Sequence, residues 1–334
     1  MLINRTEKDI MASWLADEPI RVSICCITYK QEQYIAQAID SFLMQKTMFP
    51  FEIIIGEDCG GDGTLSILSE YQANYPSIIK VITSEGNVGA NANLLRVFNY
   101  AKGDYIAVCE GDDYWIDENK ITRQYLSLRE NKNVDICFTS ARTLNEDGAM
   151  GVFSKHTDIV KLFTLSEVVR GGGGFMPTAS LMFRKNIVQK IPAWFLTAPV
   201  GDFYLQVLGS LNGGAIYLPE ASAVYRVNAI SSWSSARRQL SKSSILSTLN
   251  GFLFCADGLE RGGVSVSDVK YIKAAHETDA AVEFLLNGYF QEAKEIIVQS
   301  WSTKKWMGKM QIFIYIFRFF PKISSYLIKF KSKH

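Results

Sequence analysis

The chain has 334 residues, 48% of them hydrophobic, enough for one large core or two modest ones. Its formal net charge of +1 gives no general attraction to nucleic acid or other polyanions, so an electrostatic partner must be met by a local patch. The six cysteines form no CxxC pair and mostly lie in apolar runs, which suits a reducing cytoplasm. The three histidines are too scattered for a zinc site, so a metal here would take oxygen ligands.

Residues 1–20 lack the basic start and apolar core of a secretory signal and read as an N-terminal extension. Beyond them come three short, nearly continuous apolar runs, VSICCI (22–27), FEIII (51–55) and YIAVC (105–109), with KVIT (80–83) as a further strand. Such runs predict parallel strands covered on both faces. Between them lie helical stripes: Tyr34, Ile35, Ala38, Ile39, Phe42 and Leu43, then Leu65, Leu68, Tyr71 and Tyr75, then Leu94, Leu95, Phe98 and Ala101. The fold class is α/β, a mostly parallel sheet with helices on both faces. In such sheets ligands bind beyond the carboxyl ends of the strands, which here read TYKQE (28–32), GEDCGGDGT (56–64) and EGDD (110–113).

Further along, RGGGG (170–174) predicts a flexible break, GDFYLQVLGSL (201–211) a helix, and AIYL (215–218) and AVYRV (223–227) two short strands. Residues 141–180 carry no readable motif. The predicted division is an α/β domain over 21–235, a helical region over 236–302 and a basic amphipathic tail over 303–334.

Two of the polar clusters invite chemistry. Glu110, Asp112 and Asp113 stand within four positions, where they raise one another's pKa unless something positive sits among them. Mg²⁺ or Mn²⁺ would remove that cost, with two carboxylates sufficing and substrate phosphates completing the shell. The alternative is a solvated turn in which Asp112 or Asp113 caps the next helix. In GEDCGGDGT, Asp58 lies just past the strand tip, where a carboxylate can accept hydrogen bonds from a nucleobase imide or a ribose hydroxyl. The alternative is a glycine turn capped by Asp62 or Thr64.

Taken in order, VSICCITYKQEQYIAQAIDSFLMQ, FEIIIGEDCGGDGT and EGNVGANANLLRVFNYAKGDYIAVCEGDDYW closely resemble the nucleotide-sugar half of family 2 glycosyltransferases, over roughly residues 20–230. The resemblance implies a GT-A fold, a nucleotide-diphosphate sugar donor with UDP favoured, and inverting transfer to a saccharide or lipid-linked hydroxyl in surface polysaccharide synthesis. By position it puts Thr28, Tyr29 and Glu32 beside the nucleotide, Asp58 on the base, and Asn87, Gly89 and Asn93 beside the donor. It gives Glu110 and Asp112 to donor binding and Asp112 and Asp113 to the metal, with Glu110-Gly111-Asp112 in the place of the family's DXD element. VGDFYLQVL (200–208) resembles the second acidic motif, with Asp202 as general base and Gly201 where many relatives have glutamate. YRVNAISSW (225–233) resembles the closing element: Arg226 would approach the diphosphate, Asn228 replaces a histidine, and Trp233 would stack on the acceptor or close the core. Arg226 also reads as a structural salt-bridge residue, and Asp202 as a helix cap.

After Glu295 the sequence has no acidic residue, while lysines and one arginine flank QIFIYIF (311–317), too short to span a bilayer. Ile323, Tyr326, Leu327 and Phe330 form an amphipathic stripe after Pro321. Basic, aromatic segments of this kind lie in membrane interfaces, so the expected location is cytoplasmic and peripheral; a helix packed on the catalytic domain, or a subunit interface, is the alternative. A sugar nucleotidylyltransferase would need a glycine-rich phosphate loop after the first strand, which TYKQEQ is not. A silent nucleotide-sugar-binding protein would not need Asp202. A DNA-binding role lacks a phosphate-tracking surface.

Overall fold

The computed structural model describes residues 5–229 and 240–331. The chain forms two compact units, Met1–Ile191 with Val200–Ala236, and Pro192–Pro199 with Arg237–His334. In the first, α1 (Glu7–Met11) precedes β1 (Val22–Thr28), α2 (Ile35–Leu43), β2 (Phe51–Glu57), α3 (Thr64–Asn74), β3 (Ile79–Thr83), α4 (Ala90–Tyr100) and β4 (Tyr105–Val108). After these come β5 (Tyr114–Trp115), α5 (Lys120–Glu130), β6 (Ile136–Leu144), β7 (Met150–Phe153), β8 (Lys161–Phe163), α6 (Leu165–Gly171), β9 (Met182–Arg184), α7 (Asp202–Ser210) and β10 (Ala215–Arg226).

The strand order is β3-β2-β1-β4-β9-β6-β10-β5, with β7 on β6 and β8 on β10. The first four are parallel, so their carboxyl ends share one edge; Thr28 stands opposite Glu57, and Glu57 opposite Thr83. β9 runs antiparallel between β4 and β6 and joins this half to a mixed second half. Strands β1 and β2 are sealed by apolar residues on both faces; Ile24, Cys26, Ile53 and Ile55 pack in one core with Ile35, Ala38, Ile39 and Phe42 of α2. The buried polar pair at the start of these strands is satisfied: Ser23 Oγ donates to Glu52 Oε1 at 2.6 Å, and Lys102 N donates to the same oxygen.

The second half differs from expectation in two places. The two short strands expected at 215–218 and 223–227 are one strand, β10. Its register against β6 shifts between Leu218 and Ala223, because Pro219 lacks a donor for the ladder. The glycine run expected to be a break instead ends α6, and a 3₁₀ turn follows at Gly173–Phe175; Gln206 Nε2 of α7 donates to the Gly173 and Met176 carbonyls. Residues 141–180, without a sequence motif, hold the end of β6 together with β7, β8 and α6.

The second unit contains α8 (Lys242–Arg261), α9 (Val266–Leu286), α10 (Phe290–Thr303), α11 (Lys309–Ile316) and α12 (Pro321–Lys331). Ser241 and Ser265 cap α8 and α9 by accepting the Ser244 and Asp268 amides. The core is built from Ile245, Leu249, Ala281, Phe284, Ile297 and Ile314. No helix among the described residues is long and apolar enough to cross a membrane.

His276 of α9 stacks on Phe252 at 3.8 Å, and burial lowers its pKa to about 4. The folded state thus favours neutral imidazole. Its contribution is complete above the unfolded value near 6.5 and is lost as pH falls toward 4, by about 2 kcal/mol at pH 5. Thermal unfolding of His276→Gln at pH 7 and pH 5 should show a smaller acid-induced fall in Tm than the unmodified chain; an equal fall assigns the acid sensitivity elsewhere.

Candidate active site

Past β4 the chain stays beside β1: Cys109 N donates to Cys25 O and Gly111 N to Ile27 O. Asp113 N then donates to Glu110 O, folding residues 110–113 into a tight turn over the carboxyl edge. Gly111 has no room for a side chain. A Cβ there would lie 2.5 Å from Gln31 Oε1 and 3.0 Å from Thr28 Cβ. The far end of the turn is stapled by Trp115, whose amide donates to Ser41 Oγ of α2 and whose indole donates to Ala179 O; β5 pairs with β10.

This turn concentrates negative charge. Burial, then Asp112 and Asp202, pushes the Glu110 pKa up to about 8. Burial, then Asp112 and Glu110, pushes Asp113 well up. Burial also raises Asp112, against the pull of Arg226 and a Gln31 hydrogen bond. Neither Asp112 nor Asp113 caps the following helix, α5, which begins only at Lys120 behind Asn119. Asp113 Oδ1 instead accepts Arg226 N at 2.9 Å. The Arg226 guanidinium donates to Asp112 O at 3.2 Å and to Gln37 Oε1, and lies 5.0 Å from the Tyr34 ring centre and 4.8 Å from that of Tyr114. Arg226 therefore lies at the acidic turn, held there by the end of β10.

Asp202 opens α7, where its Oδ1 accepts Phe203 N at 2.7 Å. It is part of the same electrostatic cluster, since its charge raises Glu110, and burial raises its own pKa. A base with a raised pKa binds a proton more tightly once it has taken one.

On the neighbouring strand tips the polar residues mainly hold loops. Asp58 is 3% exposed; Oδ1 accepts from Ser84 Oγ and Val88 N, Oδ2 accepts from Gly89 N, and Arg96 lies 3.9 Å away. Three of its four lone-pair positions are thus filled by protein donors. Asn87 Oδ1 shares the Gly89 amide, and Gly89 has a φ of 88°, a conformation that favours glycine. Glu32 Oε2 accepts Gly63 N, and Asp62 accepts the Glu32 and Thr64 amides. Asn93, expected beside the donor, is buried: its Nδ2 donates to Gly56 O at 2.7 Å, fastening α4 to β2, while its Oδ1 has no hydrogen-bond partner. Tyr29 is half-buried beside Lys30. Trp233 lies outside the described residues.

Sequence reasoning missed Gln31, Tyr34, Gln37 and Tyr114 as parts of this rim. For Gln31 and Tyr34 only their place in TYKQEQY hinted at it, because Gln37, Tyr34 and Tyr114 meet Arg226 across more than a hundred residues. Thr28 Oγ1 and Gln31 Oε1 are buried without a hydrogen-bond partner, an arrangement that suits a ligand hydroxyl. Crowded carboxylates with oxygen donors alone also suit a hard divalent cation. Among the described residues no three His, Cys, Asp or Glu side chains converge to hold a metal by themselves, so the protein would supply one or two ligands and a bound phosphate the rest.

Asp58→Ala should destabilise the first unit by about 3 kcal/mol, because it strands the Val88 and Gly89 amides and leaves Arg96 without its charge partner. Chemical denaturation checks this; a loss near zero would show that the 84–89 loop does not depend on Asp58.

The family model described as "Glycosyl transferase family 2" matches residues 23–191, half of the chain, a stretch that takes in β2, β3, β4 and all but the first residue of β1. An uncharacterized protein of Mycobacterium tuberculosis, Rv1520, is 38% identical over 216 residues, covering 64% of this chain and 61% of its own length. The chain thus spans about three fifths of the curated relatives it matches first. In fold it is similar to S. aureus TarS 1-349, crystallised in complex with UDP-GlcNAc, with a TM-score of 0.62 and 16% identity over 92% of this chain and 89% of that one. It is also similar to the mannosyltransferase PcManGT from Pyrobaculum calidifontis, in complex with GDP-Man and Mn²⁺, with a TM-score of 0.54 and 12% identity over 96% and 89%. The GT-A-like fold of those neighbours is the α/β arrangement seen here. With its strand order, acidic turn and matched residues together, the chain belongs to glycosyl transferase family 2.

Proposed function

We propose that this glycosyltransferase moves a sugar, with inversion, from a nucleotide-diphosphate donor, a UDP-sugar by preference, to a hydroxyl of a saccharide or lipid-linked acceptor in surface polysaccharide synthesis at the cytoplasmic face of a membrane. The observation that carries it is the meeting of Glu110, Asp112, Asp113, Arg226 and Asp202 at one rim, although they come from a turn, a strand end and a helix start far apart in sequence. The nucleotide sugars bound by the two fold neighbours support the donor class. We assign the transfer to residues 21–235, and give the helical region 236–302 and the tail 303–334 no part in it.

In this reading the nucleotide lies along the strand tips, with Thr28, Tyr29, Glu32 and Asn87 bordering it and the remaining Asp58 lone pair facing the base. Asp112 and Asp113 would hold Mn²⁺ or Mg²⁺, which when bound neutralises charge on the leaving diphosphate. Glu110, protonated more readily than an ordinary glutamate, donates to a donor hydroxyl without adding a third full charge. Arg226, beside the Tyr34 and Tyr114 rings at the end of β10, presents positive charge to the phosphates. Asp202 takes the proton from the acceptor hydroxyl, which attacks the anomeric carbon in line as the diphosphate leaves. One displacement inverts the configuration.

Asp202→Asn should keep affinity for UDP while lowering transfer by about 10²–10⁴-fold, the usual contribution of a general base. Normal turnover in this variant would remove Asp202 from the mechanism. Titrating Asp112→Asn and Asp113→Asn with UDP in the presence and absence of Mn²⁺ should show metal-dependent affinity weakened in at least one; unchanged binding in both would overturn the metal assignment.

A further inference from the structure

The last helix packs the wrong way round for an ordinary surface helix. In α12, Ser324, Ser325 and Ile328 are buried, while Ile323, Tyr326 and Leu327 are exposed. Each set follows i, i+3 or i+4 spacing, and at 3.6 residues per turn the two stripes point to opposite sides. A globular helix turns its apolar stripe inward. Here the small, serine-lined side meets the unit, Ser324 Oγ reaching the Phe317 and Phe320 carbonyls, and the apolar stripe faces outward. The exposed surface continues through the preceding turn, where Ile316, Phe319 and Phe320 are each more than half exposed. Among the described residues these side chains stay exposed, and grouped exposed apolar side chains mark an interaction surface.

Charge identifies the partner. From residue 296 onward the sequence has eight lysines and arginines and no acid. Lys322 and Lys329, two turns apart, are exposed along one flank of the stripe, and Arg318 stands beside Phe319, 4.4 Å from its ring centre. A second copy docking by two-fold symmetry would set this surface against itself and bring like charges together. An anionic bilayer answers both features, taking the apolar side chains below the headgroups while the lysines reach the phosphates. We propose that the outward face of α11 and α12 docks on an anionic lipid surface while the inward face stays packed on α9 and α10, so that the unit rests on the membrane without unfolding its tail. This goes beyond the transfer reaction and depends on none of its residues.

The test uses the full chain and sedimentation with vesicles of phosphatidylcholine, alone or with phosphatidylglycerol. The chain should partition to the vesicles containing phosphatidylglycerol, less so as salt rises. Ile323→Ser with Tyr326→Ser should lower the partition coefficient by about tenfold or more, since two large apolar side chains leave the interface. Lys322→Gln with Lys329→Gln should lower it and flatten its salt dependence. All four positions are exposed, so the fold is retained, and UDP binding in every form should match the unmodified chain, which separates this proposal from the donor reading. A chain that stays in solution with anionic vesicles, or a serine variant that partitions unchanged, overturns the proposal. So does light scattering that shows a dimer dissolved by the serine variant without vesicle binding, which would assign the face to a second copy.

Discussion

Carboxylates crowded at the end of a buried strand must be held together by something positive, and much of the site geometry follows from that constraint. The turn after β4 places three acids where water is scarce, and burial is the leading cause of the rise in all three. What the protein provides against that repulsion is Arg226, through one backbone amide and a guanidinium held beside two tyrosine rings. In the proposed reaction the remaining imbalance is what a bound cation would offset.

Arg226 arrives at the turn because β10 is a single long strand. It pairs with β6 from Ala215 to Arg226, its register shifting past Pro219, and beyond that shift Ala223 and Val224 also pair with the residues that follow the acids. The glycine run near 171–174 supports the start of α7, since Gln206 ties that helix to the Gly173 and Met176 carbonyls. Asp202 therefore stands at the rim on a braced helix, and its charge is felt by Glu110. Residues without a motif in the second half fix the positions of residues that have one.

Strand tips that read as ligand sites are also structural joints. Asp58 and Glu32 each accept backbone amides from the neighbouring loop, and Asn93 binds a strand carbonyl. A carboxylate at a strand end can organise a loop and present a free lone pair at once, and Asn93 likewise holds the Gly56 carbonyl while its own oxygen is left without a partner. The second unit shows the converse in α12, where the apolar residues that would normally make a core are left outside and serines make the contact.

The parallel strands, the helices between them, the shared polar edge and the family resemblance were legible in the sequence, because buried parallel strands are nearly uniform in polarity and because ligands of such sheets lie past their carboxyl ends. The amphipathic stripe of the last helix was legible too, from its spacing alone. Which side of that helix packs was not, since periodicity reports that a helix has two faces and not which one finds a partner. Nor could the sequence give the setting of Arg226 among Gln37, Tyr34 and Tyr114, the merging of two short runs into β10, or the nearness of Asp202 to Glu110. Those depend on contacts between residues from about 80 to 190 positions apart, and only the closed tertiary structure brings such residues within reach of one another.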